Sequence, residues 1–299
     1  MSQIFDALHQ SASESAGNGP REFSAAKELL QVVERKAGSS VPLVEQPGQI
    51  VSWKQLRQFS TAKVMLPDHS KFVCFTETES LAAEKFRFLA TRLRHIQQKR
   101  TLKRLVITSS VTGEGKSMVA ANLACALAAG KQQVLLIEGD FRRPSLGRDL
   151  GLGALPGLSQ MLENPDNMNH ICRLKDSALC VLLAGDVNSN PLEFMEPGRL
   201  SKLLDLLSGD FDWLVIDTPP VLPLADTSIW MRMADAVMLV ARPGVAVKQQ
   251  LQRTIEAIEQ SKLLGSVINA SSDASHNNSY YYRYAARSSG VQVSGPAAK

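Results

Sequence analysis

The stretch Arg104 to Ser117, RLVITSSVTGEGKS, constrains this chain more than any other. An apolar run, Leu105-Val106-Ile107, stops abruptly in small and glycine residues. Gly115-Lys116-Ser117 then open a helical run, MVAANLACALAAG. Strand, glycine loop, helix is the order that a phosphate-binding loop needs. Glycines leave the backbone N–H groups bare enough to wrap phosphate oxygens, and the following helix turns its positive end toward them. Lys116 supplies a point charge for the β- and γ-phosphates, and Ser117 a hydroxyl for Mg²⁺. The first glycine of the usual G-x-x-x-x-G-K-S/T spacing is Ser110 here. A turn that served packing alone would leave the Lys-Ser pair at the helix start without a task.

The strand that feeds this loop has several like it. Continuous apolar runs predict strands at Leu105–Ser109, Val134–Glu138, Leu179–Ala184, Trp213–Asp217, Ala236–Ala241 and Ser266–Asn269. Helices are expected between them: Ser117–Ala129, a Leu200/Leu203/Leu204/Leu207 helix ending before Gly209, and a helix from about Val247 to Leu263. Val/Leu/Ile runs separated by helices mean strands buried on both faces, hence an α/β fold with a mostly parallel sheet and helices on both faces. Ahead of the loop, Ala82, Phe86, Leu89, Leu93 and Ile96 recur at helical spacing. In such sheets a ligand sits beyond the carboxyl ends of the strands.

Composition bounds the rest. At 299 residues the chain can bury one sizeable core with flanking segments. A net charge of +4 is too mild to argue for nucleic acid, and none is expected as a partner. The longest nearly apolar run, Met118 to Ala129, is too short to span a bilayer. Met1 to Gln10 shows no secretory pattern, which predicts a cytosolic chain. Cys74, Cys125, Cys172 and Cys180 have no C-x-x-C spacing and read as reduced thiols. Three regions are expected: a variable N-terminal region at 1–76 with short helices and linkers, a domain at 77–270, and a flexible tail at 271–299. Within the first, short helices are expected at Ser2–His9 and from Ser24 to about Lys36.

Two further strands end in carboxylates. Glu138-Gly139-Asp140 follows one, and Asp217-Thr218-Pro219-Pro220 ends the other. A carboxylate at the end of a buried strand is costly unless a cation offsets it. Mg²⁺ bound to nucleotide phosphates is the natural cation, shared in such proteins between the loop hydroxyl and an aspartate. The extra acid can bind metal or accept a proton from an attacking hydroxyl. The alternative at each site is a helix cap or a salt bridge to Arg142 or Arg143.

Tyr280, Tyr281, Tyr282 and Tyr284 are all the tyrosines of the chain, gathered in five residues of a polar tail. Core-building would scatter them. A docking stripe is one reading; a phosphoacceptor cluster is the sharper one. A phenol of pKa near 10 needs a carboxylate to take its proton and an in-line γ-phosphate, and the strand ends offer both.

The set TSSVTGEGKS, VLLIEGDFRRP, FDWLVIDTPP and YYYRY resembles the bacterial tyrosine kinases of exopolysaccharide synthesis (BY-kinases). It is most similar to their free-standing cytosolic form, the chain-length-determinant tyrosine kinases. The likeness runs from about Glu77 to Tyr284 and includes RRPSLGRDLGL, GLSQMLE, LLAGDVNSNPLEF and GSVIN. It implies a P-loop NTPase fold and an ATP/Mg²⁺ site. Gly113, Gly115, Lys116 and Ser117 would form the Walker A loop, with Thr112, Glu114, Met118 and Arg142 also against the cofactor. Ser117, Asp140 and Asp217 would hold the metal, and Lys116, Asp140, Asp217 and Glu138 would carry catalysis. The likeness further implies autophosphorylation in trans of the tail tyrosines, a homo-oligomer, and activation by a transmembrane polysaccharide co-polymerase. That activator would recruit the chain from the cytoplasm to the inner face of the membrane, and a protein-tyrosine phosphatase would reverse the reaction.

The sequence departs from the family pattern in three places. Glu138 stands where an aspartate is expected, and Ser110 is not glycine. In the E-x-x-R-x-x-R oligomerisation pattern Glu84 and Arg87 match, but Ala90 replaces the second arginine. Two other readings remain. A MinD/ParA-like positioning ATPase would use nucleotide to switch dimerisation, but Val111 stands where such proteins carry a second lysine. A non-catalytic nucleotide-dependent scaffold follows if Glu138 spoils the metal site.

Overall fold

The computed structural model describes residues 59–66, 70–163, 170–175, 177–186, 195–222 and 225–270. The helices expected near residues 2–9 and 24–36 and the tyrosine cluster lie outside these described residues. The strands are β1 (Ser60–Ala62), β2 (Arg104–Ser109), β3 (Val134–Glu138), β4 (Cys172–Leu174), β5 (Leu179–Leu182), β6 (Trp213–Asp217), β7 (Ala236–Ala241) and β8 (Leu263–Ile268). The helices are α1 (Val73–Thr76), α2 (Leu81–Gln97), α3 (Lys116–Ala129), α4 (Leu146–Asp149), α5 (Leu158–Glu163), α6 (Pro197–Asp210), α7 (Asp226–Met233) and α8 (Lys248–Ala257).

Alternation along the central strands builds two cores. Leu105, Ile107, Val134, Leu136, Trp213 and Val215 face one way and pack with α2 and α3. Val106, Leu135, Ile137, Leu214 and Ile216 face the other and pack with α5, α6 and α7. Because successive side chains point to opposite faces, a strand apolar at every position needs cover on both sides. The sheet has the order β1-β4-β5-β3-β6-β2-β7-β8 among the described residues. Every pairing is parallel except β4 with β5. The structure is thus the expected mostly parallel α/β sheet with helices on both faces.

Helix α3 shows no polar face. Val119, Ala120, Ala121, Leu123, Ala124 and Leu127 are all buried, because α3 lies between the sheet and α2. On α2, Ser80 caps the start by accepting the Ala83 N–H at 3.1 Å. Ala83, Ala90 and Leu93 form its buried side. Ala90 is only 1% exposed, so an arginine there would point into the core.

Three expectations need correction. The body of the domain reaches back at least to Phe59, not 77: β1 pairs with β4, Phe59 stacks on Phe211 at 6.2 Å, and Phe72 is buried. Three-residue strands are too short to leave a period in sequence. The helix expected to run to Leu263 stops at Ala257, and β8 starts at Leu263, not Ser266. Between them Lys262 donates its backbone N–H to the Glu259 carbonyl at 2.9 Å. Its ammonium caps the α7 carbonyl of Met231 at 3.1 Å and that of Arg232 at 2.7 Å. Third, β5 ends at Leu182 where Ala184 was expected. The Leu183 and Ala184 carbonyls instead accept the backbone N–H groups of Leu158 and Ser159 in α5, at 2.7 and 3.0 Å.

Candidate functional site: a phosphate cleft with two acids

Chain order and sheet order differ at one place that matters. After β2 and α3 the chain enters β3, and β6 is inserted later between them. Such a reversal opens a crevice at the carboxyl ends of the strands. Register then brings the acids together: Asp217 of β6 lies opposite Ile107 of β2 on one side and Glu138 of β3 on the other.

The loop between β2 and α3 has the backbone of a phosphate cradle. Gly113 and Gly115 both sit at φ 90°, which glycine alone adopts freely. A Cβ on Gly115 would also press on the Asn269 amide, which would have to give way. Asn269 donates that amide to the Glu114 carbonyl at 2.9 Å. Thr112, Gly113, Gly115, Lys116, Ser117 and Met118 all line an open cleft of about 1410 Å³. Glu114 does not: its fully buried carboxylate accepts the Val111 N–H at 2.9 Å and the Arg242 N–H at 3.3 Å. Only its backbone can reach a cofactor; the side chain ties the loop to the segment after β7.

Lys116 is the centre of charge. Its ammonium donates to Asp140 Oδ2 at 2.9 Å, to Ser117 Oγ at 3.3 Å, and lies 3.6 Å from Asp217 Oδ1. Burial works against the ammonium, but Asp217 and Asp140 outweigh it and raise its pKa. Burial pushes Asp217 up from the ordinary 3.8 to about 6, although the Lys116 charge and the Ser117 hydroxyl pull the other way. Asp217 Oδ1 is buried without a hydrogen-bond partner. An orphaned, hard, anionic oxygen beside a second carboxylate and a hydroxyl suits Mg²⁺. Among the described residues no cluster of three or more His, Cys, Asp or Glu side chains forms a protein-only cage.

Glu138 has another task than the catalytic one expected. Its Oε1 accepts the N–H groups of Ser145 and Leu146 at 2.5 and 2.7 Å, and its Oε2 that of Ala184 at 3.1 Å. With both oxygens engaged and the residue 2% exposed, it fastens the loop after β3 and does not face the cleft. Arg142 lines the cleft, but its guanidinium clasps Asp226 at 2.6 and 3.1 Å. That pair raises the pKa of Arg142. Gly139 donates its N–H to the Asp217 carbonyl at 2.7 Å, and Trp230 donates its indole N–H to the Gly139 carbonyl at 3.2 Å. Trp230 thereby packs against Gly139, the residue before Asp140.

Sequence reading missed Asp226, Trp230 and Asn269 as parts of this site. Their partners stand 84, 91 and 155 residues away in the chain, so no local spacing announces them. Glu84 and Arg87 sit on the outer side of α2 and pair with each other at 2.7 Å, exposed. Burial raises the pKa of Cys74 to about 11 and of Cys125 and Cys180 to about 12, so these thiols are poor nucleophiles.

Fold and cleft together define a P-loop nucleotide-binding protein. Comparison with known proteins narrows the class. The ParA family, described as NUBPL iron-transfer P-loop NTPase, matches residues 100–293. Tyrosine-protein kinase YwqD of Bacillus subtilis is 33% identical over 213 residues, which are 70% of this chain and 90% of YwqD. Putative tyrosine-protein kinase CapB of Staphylococcus aureus is 29% identical over 209 residues, 69% of this chain and 91% of CapB. Putative tyrosine-protein kinase EpsB of Ralstonia solanacearum is 32% identical over 207 residues, but this stretch is only 27% of its length. Among solved structures, the chimerical protein CapA2B2 matches with TM-score 0.63 and 29% identity, over 72% of this chain and 96% of that one. The kinase domain of Escherichia coli ETK matches with TM-score 0.62 and 28% identity, over 74% and 89%. The chain belongs to the ParA-type P-loop NTPases, and within them to the bacterial tyrosine-protein kinases.

Proposed function

We propose that this protein is an ATP-dependent protein-tyrosine autokinase. It phosphorylates the cluster Tyr280, Tyr281, Tyr282 and Tyr284 of a neighbouring copy and so regulates polysaccharide chain polymerisation and export. The observation that carries the reading is the convergence of Lys116, Ser117, Asp140 and Asp217 at the rim of the sheet, with two oxygens of Asp140 and Asp217 facing one ammonium.

The division of labour follows from exposure and reach. The backbone of Thr112 to Met118 binds the phosphates, and Lys116 leaves the acids for the β/γ-phosphates when nucleotide arrives. Ser117 and Asp217 would hold Mg²⁺, which would neutralise charge on the transferring phosphoryl group. Asp140 lines the cleft whereas Glu138 and Asp217 do not, so Asp140 is the carboxylate that an incoming phenol meets, and it takes the phenolic proton. Glu138 keeps the loop bearing Asp140 in place.

In this reading the kinase domain is followed by a phosphoacceptor tail from residue 271, and the chain acts at the inner membrane face through a transmembrane co-polymerase. Among the described residues no helix is long and apolar enough to cross a membrane. A phosphatase resets the tail. Glu84 and Arg87, exposed on α2, meet a neighbouring copy.

The match to the ParA family favours one other reading, a nucleotide-switched positioning ATPase. Mass spectrometry of the purified chain, with and without Mg-ATP, separates the two. Phosphotyrosine at 280–284 supports the kinase, and phosphate release without phosphotyrosine refutes it in favour of the ATPase.

A further inference from the structure

The cleft has a third wall, formed by Ser70, Lys71 and Phe72 ahead of α1. Phe72 is buried in the core with residues of α2 and α3, which seats the segment on the body of the domain. Two side chains of α3 fasten it to that helix. Asn122, in the middle of α3, is fully buried. Its amide nitrogen donates to the Lys71 carbonyl at 3.0 Å and to the Met118 carbonyl at 2.9 Å, and its oxygen accepts the Cys74 N–H at 2.9 Å. Cys125, one turn on, donates its thiol to the Cys74 carbonyl at 3.2 Å.

Asparagine is a poor helix former, and a buried amide is costly unless its bonds are made. Every other buried residue in this part of α3 is alanine, valine or leucine. Packing gains nothing from Asn122. What it does is bind Lys71 on one side and Met118, in the first turn after the phosphate loop, on the other. The Lys71 side chain is exposed and borders the cleft.

We propose that Lys71 is a further contact for the phosphates of the bound nucleotide, and that Asn122 is the positioning residue that holds Lys71 against the phosphate loop. This rests on the nucleotide-binding reading above. Lys71 adds a cation from a segment outside the loop, so that the polyphosphate is gripped from both sides.

The test is calorimetric binding of MgADP to the full chain at low and high salt. The variants are Lys71→Ala, Lys71→Arg, Asn122→Ala and the double Lys71→Ala/Asn122→Ala. Lys71→Ala weakens binding on the order of fivefold at low salt, as expected for a partly solvated ion pair, and less at high salt. Lys71→Arg retains most of the affinity. Asn122→Ala weakens binding similarly, and the double variant is no weaker than either single one, since both remove the same contact. Wild-type affinity in Lys71→Ala, or effects that multiply in the double variant, overturns the proposal. If Asn122→Ala does not fold, hydrogen exchange at the Cys74 amide of the wild-type chain decides. It slows on adding MgADP if the wall closes on the nucleotide, and unchanged exchange refutes the proposal. A wild-type chain that binds no MgADP at all would instead sink the nucleotide reading itself.

Discussion

Replacing Asp217 by asparagine should make the nucleotide-free protein more stable while disabling it. The buried carboxyl is pushed from 3.8 to about 6. At about 1.4 kcal/mol per pH unit, that gap represents about 3 kcal/mol. The unfolded chain ionises near 3.8 and the folded one near 6, so between those values the folded state binds more protons. Stability therefore falls as pH rises through this window, and the full cost is present above about pH 6. Asparagine has the same shape and no charge to desolvate. Asp217→Asn should gain up to about 3 kcal/mol at pH 8, or roughly 6–12 °C in Tm for a domain of this size. The gain should shrink toward pH 4.5, where the wild-type carboxyl is protonated. MgADP at one thousand times the wild-type Kd should reverse the order, raising the wild type by about 4.1 kcal/mol and leaving the variant unmoved. The assay is thermal unfolding across pH 4.5–8 with and without MgADP. A variant no more stable than wild type at pH 8, or a gap that does not close at low pH, refutes the argument that burying the Asp217 charge costs stability.

Other substitutions probe the remaining parts. Lys116→Met should abolish phosphotyrosine while circular dichroism shows an intact fold; persistent labelling removes Lys116 from the mechanism. Gly115→Ala forces an L-residue to φ 90° and drives a Cβ into Asn269. It should cost about 1–2 kcal/mol of backbone strain and eliminate calorimetric nucleotide binding. A chain cut after Ala270 should still bind nucleotide but lose self-labelling, as read by phosphotyrosine blotting. Ala90→Arg, which restores the family's E-x-x-R-x-x-R spacing, should lower stability by about 2–4 kcal/mol, because that position is 1% exposed. A Tm at or above wild type would show that α2 can turn the arginine outward.

What could be read from the sequence were features written in consecutive residues. The loop GEGKS, the apolar runs of β3 and β6 and the acids that end them occupy the structure as expected, because a fully buried strand leaves an unbroken apolar run and a terminal carboxylate stands out against it. Directions were not legible. Glu114 and Glu138 looked like chemistry beside a phosphate loop, yet both spend their oxygens on backbone N–H groups of distant segments. Composition names a carboxylate without saying what it faces. The antiparallel strand β4 was lost because three residues with Arg173 at the centre carry no period. Asp226 and Asn269 were invisible for a third reason: each completes the site from a separate element, and only the folded sheet makes them neighbours.

Helix α3 leaves one consequence to draw. Beyond its first turn, which lines the cleft, it is hemmed in by the sheet and by α2 and built mainly of alanine, with almost no outward surface on which drift could act. A library that aims to change nucleotide preference or turnover will recover little from that helix, since almost any enlargement collides with a neighbour. Useful diversity is confined to the lip: Lys71, Arg143, Arg148 and Arg242, which border the opening on separate segments. Retuning this catalyst is a matter of its perimeter, while its axis stays fixed.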